Sequence, residues 1–200
     1  MARYFTSDWH AGEQQTPNTH SYLRPHPTEV MVTQWIDECH TKIKSEDILV
    51  FLGDIGITLD DLQVFTKLPD CRKILILGDK EYNNTQFTRK DFLQRNEELS
   101  IFTNVYRQAL IHIGDRPYNL SHKPTECIEM SIRNGQPALC GHVHGIWRTQ
   151  RMPNGQPIMN VGIDAWGGLV SEAFIVHQYD CVTKGYYDEN CFPVDWQRAP

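Results

Sequence analysis

At 200 residues and 23.2 kDa the chain is long enough for one large domain that buries roughly 70% of its unfolded surface. Hydrophobic residues make up 40% and charged residues 22%, with a mean hydropathy of -0.48, which excludes a disordered, collagen-like or membrane-embedded chain. Nineteen basic against 25 acidic residues give a formal charge of -6, which excludes a basic nucleic-acid surface and leaves room for a small anionic substrate.

The opening MARYFTSDWH has no apolar stretch of signal-peptide length, and nothing approaches the about eighteen apolar residues of a membrane span, so a cytoplasmic protein with no membrane partner is expected. In chain order, apolar runs predict strands at Arg3–Thr6, Ile48–Leu52, Ile74–Leu77, Ala109–Ile113, Tyr118–Leu120, Ala138–Cys140, Ile158–Val161 and Ala173–Val176. Helical patterns lie between several of them. Thr28 reads as the N-cap of a helix to about Lys44, with Val30, Met31, Trp35, Ile36 and Cys39 near helical spacing; Thr85–Leu99 and Glu126–Ile132 look similar. The first half is βαβαβα and the second is richer in strands, which predicts a layered α/β sandwich in place of a pure doubly wound sheet. A single domain over residues 1–200 is expected, with its motifs between 3 and 176 and a C-terminal extension at 178–200, containing Trp196, that carries no readable motif. Cys39, Cys71, Cys127, Cys140, Cys181 and Cys191 show no CxxC pairing and read as free thiols.

Five strand candidates run directly into an acidic residue or a histidine. RYFTS ends at Asp8, with His10 two further on; ILVFLG ends at Asp54; KILILG ends at Asp79; YNLS ends at His122; PALCG ends at His142, followed by His144. Ligands in open α/β sheets bind at the carboxyl ends of the strands, so these side chains can converge although they are far apart in sequence. Singly each is a weak signal, because a strand-end Asp often caps a helix or makes a turn. GHVH is stronger, since i and i+2 on extended backbone put both imidazoles on one side. Three carboxylates and four imidazoles form a mixed O/N donor set that suits Mn, Fe or Zn and does not suit an all-oxygen calcium site or a thiolate zinc site. That is too many ligands for one open catalytic ion. Two ions sharing a bridging carboxylate use them well, and paired metals activate water for in-line displacement at phosphorus.

In this order, Asp8-Trp9-His10, Gly53-Asp54, Gly78-Asp79-Lys80-Glu81, His122 and Gly141-His142-Val143-His144 resemble the calcineurin-like metallophosphoesterase superfamily, whose pattern is DxH, GD, GN(H/D), a lone His and GHxH. The flanking LSHKP at Leu120–Pro124 and NVGIDAW at Asn160–Trp166 are similar to small bacterial and phage members, and the match covers about Arg3 to Val176. The resemblance implies a four-layer αββα sandwich with a dinuclear site at the strand ends. It implies that Asp8, His10 and His144 hold one divalent ion, that Asp54 bridges, and that Asp79, His122 and His142 hold the other. Mn is the preferred metal, with Fe, Zn, Ni or Co as alternatives. A metal-bridging hydroxide would then attack the phosphorus of a phosphodiester or small nucleotide-like phosphoester, the diester being preferred over the monoester.

The sequence departs from the family at GDKE, where Asn and His usually stand. Asp79 remains a competent ligand but adds negative charge, and Lys80 is expected to restore the balance while serving as acid or phosphate binder in place of the family His. An unperturbed lysine, with a pKa of about 10.4, is a poor acid at neutral pH unless neighbouring metals depress it. His20 and His26 read as loop histidines with proton donation as the alternative, and His40, His112 and His177 read as structural or solvated. Glu13 stands where related small members often carry another His, which leaves open an outer contact to metal or phosphate there. Arg24 and Lys123 read as solvated loop cations, with binding of substrate anions as the alternative. Trp147 and Trp166 read as core aromatics, with a nucleobase wall as the alternative. The rival to an enzyme is a catalytically weakened scaffold of the same fold that binds a protein partner. Retention of the ligand set favours activity.

Overall fold

In a computed structural model, residues 1–17, 19, 24–82 and 84–186 are described. The parallel strands β1 (Arg3–Thr6), β2 (Ile48–Phe51), β3 (Arg72–Ile76) and β4 (Asn104–Tyr106) form one sheet, joined at its outer edge by the antiparallel β10 (Val170–Ser171), in the order β10-β1-β2-β3-β4. A second sheet has the order β5-β6-β7-β9-β8, built from β5 (Gln108–Ile113), β6 (Arg116–Ser121), β7 (Ala138–Cys140), β9 (Pro157–Asn160) and β8 (Thr149–Arg151).

Side chains alternate across a strand, and the alternation here divides the interior into layers. Val50, Leu52 and Ile76 of the first sheet meet Leu120, Leu139 and Met159 of the second in one buried cluster between the sheets. Leu49, Phe51 and Leu75 point the other way, into a cluster shared with α1 (Thr28–Lys42) and a 3-10 helix at Asp60–Lys67. Ala138, Cys140 and Ile158 turn outward onto Cys127 of α4 (Pro124–Asn134). Helices on both outer faces of two packed sheets make the expected four-layer αββα sandwich.

Several local expectations shift. Thr28 is the first residue of α1 and the cap is Pro27; the face it buries is Val32, Trp35, Ile36 and Cys39, whereas Val30 is exposed. The helix expected from Thr85 is α3 (Arg89–Leu99), because Thr88 and Asp91 form a capping box that fixes its start. Two elements were not anticipated before α3 and β5: the four-residue α2 (Asp79–Tyr82) and β4. The expected strand Ala173–Val176 is instead the first half of α6 (Glu172–Thr183), which follows the short α5 (Ile163–Trp166) and β10. A short apolar run does not distinguish a strand from a buried helix turn. Ser171 decides the matter by accepting a hydrogen bond from the Phe174 N–H as N-cap, and burial at Ile175, Gln178 and Val182 then follows helical spacing. Residues 178–183 form the second half of this helix, while Trp196, Cys191 and His20 lie outside the described residues.

The five described cysteines are buried free thiols. Among the described residues no helix is long and apolar enough to cross a membrane.

Candidate metal centre

β1, β2, β3, β6 and β7 all deliver their carboxyl ends to one place, and the loops there are unusual in conformation. Of six non-glycine residues with positive φ among those described, five are Asp8, His10, Asp54, His142 and His144, the sixth being Ser100. A left-handed backbone costs a non-glycine residue about 1–3 kcal/mol and persists only where the surroundings enforce it. Such outliers gather at functional sites, and here they coincide with the sequence-selected ligands. Trp9 shows one source of enforcement: it stacks near Trp35, Phe51 and Phe65 in the core at ring distances of 5.3, 5.1 and 5.6 Å, anchoring the chain between Asp8 and His10. The two GD turns lock each other as well. A Cβ on Gly53 would lie 2.5 Å from the Gly78 backbone, and one on Gly78 would collide with the Asp54 amide and Oδ1.

Six of the seven ligand candidates form two triads. Asp8, His10 and His144 offer donor atoms within 4.8 Å of one another, and Asp54, His122 and His142 do likewise. Asp54 lies between them, with Oδ2 3.7 Å from His10 Nε2 and Oδ1 3.4 Å from His122 Nε2. Asp79 is adjacent to the second triad: its Oδ2 is 3.5 Å from His142 Nδ1, while Lys123 Nζ holds Oδ1 at 2.6 Å. Lys80 sits on the first turn of α2, and its main-chain N–H donates to Asp54 Oδ1 at 2.9 Å.

The imidazoles are oriented from behind. His122 Nδ1 donates to the Leu52 carbonyl at 2.6 Å, and its buried Nε2, facing Asp54, has no hydrogen-bond partner. His144 Nδ1 donates to Asp164 Oδ2 at 2.6 Å, so its Nε2 faces Asp8 Oδ1 at 4.0 Å. A ring nitrogen fixed by a carbonyl or carboxylate on its far side is the usual arrangement of a metal-binding histidine. His10 Nδ1 lies 3.4 Å from Glu13 Oε1. Burial alone would raise the Asp54 carboxyl, but the facing His122, with His10 and the Lys80 N–H, holds it well below the usual range. Burial opposes the His122 cation, yet Asp54 and the Leu52 carbonyl push its pKa up to about 10. A divalent ion would take the place of that proton. The orphaned nitrogen, the oriented imidazoles and the mixed donor set fit divalent transition metals.

Sequence reasoning missed three supporting residues. Glu81 accepts from the backbone N–H groups of Asp54, Ile55 and Gly78 at 3.0, 2.8 and 2.7 Å. Burial and the Asp54 charge push its carboxyl up to about 7 against those donors. Asp164 backs His144, and Arg24, expected as a loop cation or anion binder, is only 3% exposed and bonds to Asp164. Trp166 donates to the Asn160 carbonyl at 2.6 Å and Trp147 packs on the Cys127 cluster, as core residues do. His26 is exposed in its loop.

No family profile and no curated sequence matches the chain. Among solved structures, an Aquifex aeolicus protein of unknown function superposes over 88% of this chain and 98% of its own, with a TM-score of 0.66 and 21% identity. A structure described as a novel archaeal phosphodiesterase superposes over 83% and 87%, with a TM-score of 0.53 and 16% identity. The chain shares the fold of both structures. In that fold both triads lie at the carboxyl ends of the strands, where the topology of an α/β sheet collects its ligands.

Proposed function

We propose that the chain is a metal-dependent phosphoesterase with a dinuclear centre, loaded preferentially with Mn, that hydrolyses a phosphodiester or small nucleotide-like phosphoester. The observation that carries this reading is the Asp54 carboxylate, which turns one oxygen toward each histidine-bearing triad. Asp8, His10 and His144 would hold one ion, His122, His142 and Asp79 the other, with Asp54 shared. Divalent ions there supply Lewis acidity and a water activated at neutral pH.

The chain's own groups set the rest. Ser7 Oγ and the His142 main-chain N–H donate to the Asp8 carboxylate at 2.5 and 3.0 Å, preventing its rotation. His142 has a 42% exposed side chain and marks the open side from which an ester approaches. Lys123, beside Asp79, brings a cation to that side. Asp79, an anion where the family has a neutral Asn, lowers the net positive charge of a loaded centre. Lower charge penalises a dianionic monoester more than a monoanionic diester, so diesters are the favoured substrates.

Metal-depleted protein reloaded with Mn should hydrolyse bis(p-nitrophenyl) phosphate faster than p-nitrophenyl phosphate, and Asp54→Asn should abolish both activities with the circular dichroism unchanged. Lys80→Ala should lower turnover at unchanged metal content if its ammonium serves the leaving group. Stoichiometric Mn with no turnover on a broad phosphoester panel would instead support a partner-binding scaffold.

A further inference from the structure

One guanidinium reaches the main chain of Asp8 and Trp9 directly and His144 through Asp164. Arg24 Nε and Nη2 form a fork on Asp164, at 2.8 Å to Oδ1 and 3.0 Å to Oδ2, and Asp164 Oδ2 in turn accepts from His144 Nδ1. Nη2 also donates to the Asp8 carbonyl at 2.5 Å and Nη1 to the Trp9 carbonyl at 2.8 Å. The group lies over the Trp35 ring, 5.0 Å from its centroid, with its side chain 3% exposed. An arginine whose fork is filled by a carboxylate and two carbonyls has little left to offer a substrate anion. Its remaining use is to hold what it touches.

We propose that Arg24, acting with Asp164, is the positioning residue that presets the Asp8, His10 and His144 triad for its metal ion; the proposal rests on the dinuclear reading above. Asp8 and His10 sit at φ 62° and 50°, and the carbonyls Arg24 holds are those of Asp8 and of Trp9 between them. Binding both carbonyls offsets the strain that aims Asp8 and His10 at one point. Fixing Asp164 holds the Nδ1 proton of His144 in place, so the ring presents Nε2 to the ion. A lysine offers a point charge without the fork and cannot make these bonds together. The second triad is supported otherwise, by the Leu52 carbonyl behind His122 and by Glu81 under the Asp54 turn. Loss of Arg24 must therefore act on one ion and spare the other.

The test is Mn titration of the full chain, read by electron paramagnetic resonance and by metal content. Wild type should bind two ions with a spin-coupled spectrum. Arg24→Ala should weaken one ion about 10–100-fold, leave a mononuclear Mn signal, and lose that signal when His122→Ala is added. Methylguanidinium should restore the coupled spectrum, because a cavity of about 650 Å3 opens on Arg24 and Asp164. Arg24→Lys should not restore it. If Arg24→Ala does not fold, Asp164→Asn, which keeps the shape and loses the charge, should give the same selective loss. Equal weakening of both ions, unchanged binding, or no response to methylguanidinium would overturn the proposal. A wild type that takes up no Mn would remove the dinuclear reading along with it; two ions in wild type with unchanged binding in the variants would remove this inference alone.

Discussion

The two triads contain the same kinds of side chain in different settings. Asp8, His10 and His144 are all buried, all on left-handed backbone, and tied behind by the charged pair of Arg24 and Asp164. The second triad pairs a buried His122, backed only by a main-chain carbonyl, with an exposed His142, and beside it Lys123 occupies the Asp79 carboxylate. The supports differ in kind: a cation gathers carbonyls under the first triad, and a carboxyl group, Glu81, gathers N–H groups under the second. A pre-formed closed site retains an ion, whereas a catalytic site needs an open position for water and substrate. The first triad is built for retention and the second for access.

Five substitutions would break or sharpen that contrast. Asp54→Asn faces both triads and should erase the difference, weakening both Mn ions by more than the 10–100-fold typical of lost supporting contacts, as read by equilibrium dialysis. Glu81→Gln should reverse the effect of losing Arg24, weakening the ion at His122 about 10–100-fold and leaving the one at His144 unchanged in the same assay. In metal-free protein, His144→Ala removes a buried hydrogen bond to Asp164 and should cost about 1–3 kcal/mol in urea unfolding. His142→Ala, at a 42% exposed side chain, should stay within about 0.5 kcal/mol. The smallest effect belongs to Lys123→Met. Its ion pair with Asp79 has partners 36% and 30% exposed, and such pairs are worth at most about 1 kcal/mol, so freeing Asp79 should tighten the second ion only about twofold to fivefold.

The ligand candidates were legible in the sequence because each stands at the end of an apolar run or two residues beyond it, and parallel strands deliver their carboxyl ends to one side. β7 was readable to the residue at Ala138–Cys140 for that reason. The supporting residues were not legible, since their meaning lies in pairings across long separations: Arg24 with Asp164, and Glu81 with the turn at Asp54. Asp164 was visible only as a letter in NVGIDAW, and Arg24 looked like any loop cation. The contact of Asp79 with Lys123, the residue before α4, was not legible because it joins residues far apart in the chain. The last helix was misread because AFIV suits either period, and only the Ser171 cap distinguishes them.

Anomalous diffraction at the Mn edge from crystals of the Mn-loaded protein tests the central claim most directly. Two peaks should appear, one against Asp8, His10 and His144 and the other against His122 and His142, with Asp54 touching both. A single peak, or two peaks that Asp54 does not bridge, would contradict the account.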